Sequence, residues 1–447
     1  MNYRLSFVST LLLLFTACGG GSSTSQSDVA MSCEESVTPN LFQKQTQRQM
    51  IVNNPNNSAN ILVQNIQVDT DTDVNSQTEP LFSQEYLYNL FKTEYFWANQ
   101  ITDGIDYASY NTPQSLINDL KNTQDRWSFS MTKEKYGNIT SQKSTGFGFA
   151  CVDVSYGCHV TYVRIDSPAD KMGLKRGDIV TKINEKSASK VRIAEMGKEE
   201  KGLVNFNVQR NNSNELCTCK ITPRDYTYKV AMAKVVNSDK GEKVGYFRLD
   251  SFLGGEEIIK QMDESFDFFK KEEVNKLIID LRYNGGGAVS VASKLIDKLS
   301  IDKKGLVQFT LAWNDDYEKN NETYRFQETN NALNLEKILF LTTNNSASAS
   351  ELVISAMKPH LGNENVIIIG KKTHGKPVGM GGRSDGDYYY FLINFVVKNA
   401  VNFYDYFNGF PVTKGCDIKD DTFHEMGDKE ELMLKAALQY VDTGRCQ

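Results

Sequence analysis

The sequence predicts an α/β protein with a sheet of mixed or parallel strands and flanking helices, preceded by a small helical domain and a domain of short strands. Three observations predict it. From 226 to 445, strand-length apolar runs alternate with amphipathic stretches, as expected of strands joined by helical crossovers. Between 79 and 140, Leu87, Leu90, Phe91 and Tyr95 recur at helical spacing, as do Leu116 and Leu120. Between 144 and 224 the apolar runs are short and broken by turn residues such as Lys175-Arg176-Gly177-Asp178.

In chain order, residues 1–18 read as an export signal. Arg4 supplies the positive charge, and the apolar stretch ending at Phe15 is too short to span a bilayer. Ala17-Cys18 is similar to a bacterial lipobox, with Phe15 where Leu is usual. The expectation is a lipidated Cys18 and an outer-membrane lipoprotein of the bacterial envelope, facing the periplasm or the cell surface. Plain secretion after cleavage near Ala17 is the alternative. Residues 19–78 are rich in Ser, Asn, Gln, Thr and Asp without apolar period, which reads as a flexible tether. Further along, 162–165 and 179–183 read as strands, with one short helix starting near Ser167 between them. In the core from 226 to 447, strands are expected at 243–249, 276–281, 337–342 and 365–369, and helices at 256–271, 290–301 and 349–358.

The 447 residues suffice for two or three domains. A net charge of -6 gives no basic footprint for nucleic acid. If Cys18 carries lipid, seven cysteines remain of the eight, an odd number for an exported chain. Cys217-Thr218-Cys219 is too tight for a metal knuckle, so neither metal nor cofactor is expected. Cys446 lies just past the helical stretch 430–440 and Cys416 just before the tail, so these two are expected to pair and pin the chain end. Cys151 and Cys158 can pair across a hairpin, with Cys217 and Cys219 as competing partners. Cys33 has no assigned partner.

Three segments carry candidate chemistry, and each follows a buried strand. In Asn345-Ser346-Ala347-Ser348-Ala349-Ser350-Glu351 a serine stands at a helix start, where free N–H groups can hold an oxyanion. The same residues fit a capping box, Ser348 to Glu351, with no catalytic role. In Asp280-Leu281-Arg282-Tyr283-Asn284-Gly285-Gly286-Gly287 the glycines let the backbone turn sharply and approach another group. Gly370 to Pro377 holds Lys376, which becomes a base only if desolvation lowers its pKa.

Together the three segments resemble the C-terminal processing peptidases, or tail-specific proteases, over roughly residues 80–445. The resemblance implies a serine endopeptidase with Ser348 as nucleophile and Lys376, in Thr373-His374-Gly375-Lys376, as its base. Ala349 and either Gly286 or Gly287 would supply the oxyanion hole. It also implies that 144–224 is a PDZ domain, with Gly146-Phe147-Gly148-Phe149 as a loop that captures a peptide C-terminus. Substrates would then be proteins or peptides engaged through their C-termini. Two departures stand out. Met380 occupies the position, four after the lysine, where many members place an orienting Gln. The stretch from Ser348 to Lys376 is slightly long, which suggests an extended loop at 359–365. His374 reads as a turn residue, and Asp250 and Glu351 as structural. The competing function is an inactive peptidase fold that binds peptides through its PDZ domain; a peptidase-like binder of apolar ligands is a third.

Overall fold

The structure is a computed structural model that describes residues 34–35, 81–198, 202–211 and 215–447. The expected signal, Cys18, Cys33 and nearly all of the tether lie outside the described residues.

Ser83 starts the first of the described helices, Gln84–Thr93, by accepting the Tyr86 N–H, which satisfies one of the donors a helix start leaves open. The apolar stripe Leu87, Leu90 and Phe91 packs with Leu116, Ile117 and Leu120 of Pro113–Leu120. The same cluster contains Tyr390, Leu392 and Ile393 of the strand Tyr388–Asn399. The strand Phe129–Thr132 then joins that strand edge to edge. The helical segment therefore shares its core with a strand about 300 residues further along the chain.

Residues 149–221 form an antiparallel sheet in the order Leu216–Ile221, Val204–Gln209, Ile179–Ile183, Gly157–Val163, Phe149–Val154, with Glu34–Glu35 on the outer edge. Its helices are Pro168–Lys171 and Lys190–Lys198. The sequence suggested one helix here. The second buries only Ile193, so it shows no apolar period to read.

The central sheet runs Ala231–Asn237, Lys243–Leu249, Leu277–Asp280, Ile338–Thr342, Val366–Gly370. The last four strands are parallel and the first is antiparallel. Successive side chains of a strand point to opposite faces, and both faces are covered. Phe247, Ile279, Phe340 and Ile368 meet the helices Gly255–Lys271, Val289–Lys298 and Ala349–Leu361. Tyr246, Ile278, Leu339, Leu341 and Ile369 meet the final helix Leu432–Thr443. A second, antiparallel sheet holds Glu322–Arg325, Val307–Trp313, Tyr388–Asn399 and Val378–Asp385. The extended loop expected at 359–365 is absent. Its residues continue the helix through Pro359 to Leu361, and a single 3-10 turn, Asn363–Asn365, leads into the next strand.

Candidate active site

All three candidate segments leave the C-terminal ends of parallel strands, the rim where open α/β sheets place their ligands. The strand Leu277–Asp280 leads into the glycine loop, Ile338–Thr342 into the serine segment, and Val366–Gly370 into the lysine turn.

The three serines of the middle segment have different surroundings. Ser346 and Ser350 donate their hydroxyls to interior carbonyls, Leu281 O at 2.7 Å and Asn284 O at 2.8 Å. Both are fully buried. Ser348 is half-buried, and its hydroxyl donates to no acceptor among the described residues. Its backbone stands at φ 57° and ψ -113°, a region that costs a non-glycine residue about 1–3 kcal/mol and concentrates at functional sites. The next residue, Ala349, opens the helix Ala349–Leu361, so its N–H has no carbonyl of that helix to reach.

The glycine loop closes on this serine. A Cβ at Gly286, whose φ is +105°, would stand 2.7 Å from Ser348 Cβ and 3.0 Å from the Ala349 nitrogen. Only glycine permits that approach. The loop is fixed from behind. Asn284 donates its side-chain amide to Leu249 O at 2.9 Å, and its carbonyl accepts the Ala347 N–H at 3.1 Å. The Gly286 N–H donates to Asn284 Oδ1 at 2.9 Å. That amide is thus committed in this conformation. Of the two glycine donors expected from the sequence, Gly287 is the one with no hydrogen-bond partner among the described residues.

Glu351 ties the nucleophile segment to the lysine turn. Its Oε2 accepts the N–H of Ser348 at 3.0 Å and that of Lys376 at 2.8 Å. Its Oε1 accepts the Gly375 N–H and the Thr373 hydroxyl, both at 2.6 Å. The half of the capping box that returns from Glu351 to Ser348 is therefore present and extends into the lysine turn. Burial pushes the Glu351 carboxyl above its usual range, against the four donors that hold it down. Asp250 is structural as expected, accepting Arg248 through both oxygens and the Tyr162 hydroxyl.

Lys376 lies with its amine desolvated, which lowers its pKa to about 8; the carboxylates of Asp125 and Glu351 partly oppose the shift. The amine contacts the Met380 sulfur at 3.7 Å. Both ring nitrogens of His374 are engaged by its neighbours. Its Nε2 accepts the indole N–H of Trp127 at 3.2 Å. Indole nitrogen is donor-only, so the Nε2 lone pair is occupied, and the other side of the ring hydrogen-bonds the Asn344 backbone. Burial lowers the pKa of His374.

Trp127 and Asp125 belong to a turn whose part in the site was not foreseen from the sequence. Asp125 accepts the N–H groups of Trp127 and Ser128 at 2.9 Å and the Tyr95 hydroxyl at 2.8 Å. The available signal was Asp125-Arg126-Trp127-Ser128 itself, charges and an aromatic ring at the end of a helical segment.

Gly146 to Phe149 joins the end of the strand Lys143–Gly146 to the start of Phe149–Val154. Phe147 points inward onto Phe206, with ring centroids 4.9 Å apart. Gly148, at φ +86°, leaves no room for a Cβ beside Ser167. Gly197 of the helix Lys190–Lys198 closes against Gly146 and Phe147. Cys151 with Cys158, and Cys416 with Cys446, stand at disulfide distance, 2.11 and 2.03 Å. Cys217 is a buried free thiol and Cys219 is disulfide-bonded. Among the described residues no His, Cys, Asp and Glu group could hold a metal ion.

Residues 243–387 match Peptidase family S41, residues 83–129 the Peptidase S41 N-terminal domain, and residues 145–221 a PDZ domain. A Staphylococcus aureus protein named "Probable CtpA-like serine protease" is 27% identical over 305 residues, 66% of this chain and 56% of that protein. Its Staphylococcus haemolyticus namesake is 25% identical over 304 residues, with the same coverage. The chain thus spans little more than half the length of these relatives. A solved Bacteroides fragilis chain assigned to the S41 proteases has a TM-score of 0.70 at 21% identity, covering 83% of this chain and 99% of that one. That likeness concerns the fold.

Proposed function

The chain carries a peptidase family S41 domain behind the S41 N-terminal domain and a PDZ domain, and from that premise we propose that it is a serine endopeptidase of the C-terminal processing type with a Ser348–Lys376 dyad. One observation carries the reading. A strained, half-buried serine and a lysine with a desolvated amine are held through their backbone N–H groups by one oxygen, Oε2, of one buried carboxylate, Glu351.

In the proposed cycle Ser348 Oγ attacks the scissile carbonyl and the neutral Lys376 amine takes its proton. The oxyanion meets the Ala349 N–H at the helix start, with Gly287 or a rearranged Gly286 as second donor. The Lys376 ammonium returns the proton to the leaving amine as the C–N bond breaks. Water then attacks the acyl-enzyme, with Lys376 again as base. No cofactor enters these steps. The resemblance and the PDZ match support substrates that are proteins or peptides, presented through their C-termini at Gly146 to Phe149. The signal-like start and Cys18 support export with a lipid anchor, and hence envelope substrates.

The test is cleavage of unstructured peptides by protein lacking residues 1–18, with Ser348→Ala alongside. The serine variant should lose at least about 10³-fold in kcat/KM while staying folded. Undiminished activity would remove Ser348 from the reaction. An inert wild type that still binds peptides would establish the non-catalytic alternative.

A further inference from the structure

Two buried carboxylates lie near the Lys376 amine, yet among the described residues neither forms an ion pair with it. Glu351 turns both oxygens to Ser348, Thr373, Gly375 and the Lys376 backbone. Asp125 faces the N–H groups of Trp127 and Ser128 and the hydroxyls of Tyr95 and Ser128. The remaining titratable neighbour, His374, is held neutral between Trp127 and the Asn344 backbone. What the amine does touch is the sulfur of Met380 at 3.7 Å.

Met380 is aimed there by the backbone. The pairing of Val378–Asp385 with Tyr388–Asn399 shifts register between Gly379 and Met380, so that Gly379 faces Phe395 and Met380 faces Ile393. The skipped residue, Asn394, accepts the Gly381 N–H with its side chain and donates to Glu94 O at 3.0 Å. Such bulges re-aim a side chain.

We propose that Met380 is a positioning residue, whose thioether orients the Lys376 amine without stabilising its protonated form. The inference rests on the Ser348–Lys376 reading. A thioether sulfur is a weak acceptor. It can take one N–H of the neutral amine and leave the lone pair for the Ser348 hydroxyl. An amide oxygen at the same place would bind the ammonium by a charge-assisted bond, roughly twice as strong as a neutral one. That would orient the amine equally well but favour its protonated, inactive form.

Met380→Leu and Met380→Gln, with Ser348→Ala as control, test this through kcat and KM across pH. Leu conserves volume and should keep the core intact. It removes the acceptor, so kcat should fall by up to about 10²-fold with KM unchanged, the scale of a catalytic group misplaced by about 1 Å. Gln should recover kcat at high pH, while the acidic limb moves up by about one pH unit, the equivalent of 1.36 kcal/mol in favour of the ammonium. A Leu variant with wild-type kcat and an unmoved profile in both variants would make Met380 a packing residue and overturn the proposal. Activity retained in Ser348→Ala would instead overturn the dyad, and the inference with it.

Discussion

A base must be neutral to accept a proton, and for a lysine that requires a dry setting. The Lys376 pKa is lowered to about 8, with desolvation as the main cause. The sign follows directly. Below that value the amine is protonated and cannot take the Ser348 proton, so kcat/KM should rise with pH through about 8 and level off above it. A pH profile on a peptide substrate checks this, and a flat profile between pH 6 and 9 would mean that another group limits the rate. Lys376→Arg should be as inactive as Lys376→Ala, because guanidinium does not release its proton in this range. Glu351 works at the same scale, both by holding the two segments together and through its charge, which partly opposes the lowering of the Lys376 pKa. Glu351→Gln can accept with only one of its two end atoms, so two of the four donors would lose their partner. We expect kcat to fall and the acidic limb to shift, measured beside an unchanged circular dichroism spectrum. Ser348 and Lys376 could be named as candidates from the sequence because each sits in a motif. The tie through Glu351 could not be, since a capping-box glutamate looks the same whether or not it also binds a distant turn.

At the scale of elements, the site depends on how closely the glycine loop approaches the helix start. A methyl group at Gly286 would meet Ser348 Cβ at 2.7 Å, and its φ of +105° suits no other residue. Gly286→Ala should therefore push the loop off the oxyanion site and reduce kcat by about 10²–10³-fold, the scale of losing one oxyanion donor. Gly285→Ala, with open space around its Cβ position, should be close to wild type. Comparable losses in both variants would point to general loop disorder instead. Four of the five central strands were read from the sequence because they and their helices differ clearly in period; the antiparallel edge strand Ala231–Asn237 was not. Nor was the second, antiparallel sheet. Tyr388–Asn399 is apolar almost throughout and buried on both faces over much of its length, so it shows no alternation. Its partner Val378–Asp385 is interrupted by Gly379, Gly381 and Gly382, which read as turn residues. The Asp125–Ser128 turn escaped notice because nothing local in its sequence signals its distant partners, Ile393 of that sheet and His374 of the lysine turn.

At the scale of the whole molecule, distant segments are joined by buried charge and, among the described residues, by the Cys416–Cys446 cross-link. Asp420 accepts from Arg176 of the PDZ segment at 2.6 Å, from Arg282 of the glycine-loop segment at 2.9 Å and from the Tyr283 hydroxyl. These cations hold its pKa down at about 2 against desolvation, from a model-peptide value of 3.8. A depressed carboxylate stabilises the folded state above its unfolded pKa and loses that contribution as pH falls through its folded pKa. Asp420 should thus contribute about 2 kcal/mol at neutral pH that disappears between about pH 4 and pH 2, and Asp420→Asn should flatten that part of the stability profile. The cross-link acts on the segment that holds the final helix. That helix, Leu432–Thr443, packs on one face of the central sheet through Met433, Leu434 and Ala437, against the strands Ile338–Thr342 and Val366–Gly370. Cys416 and Cys446, both buried, close 30 residues around that helix. In the chain-entropy picture a loop of this length stabilises by about 3–4 kcal/mol. A Cys416→Ser/Cys446→Ser double variant should therefore unfold at lower denaturant with the transition of the central sheet, while the hairpin disulfide Cys151–Cys158 stays intact. Peptide mapping of non-reduced protein should recover 416 joined to 446. A free thiol at either position in oxidised protein, or a double variant as stable as the parent, would mean that the helix holds its face of the sheet by packing alone.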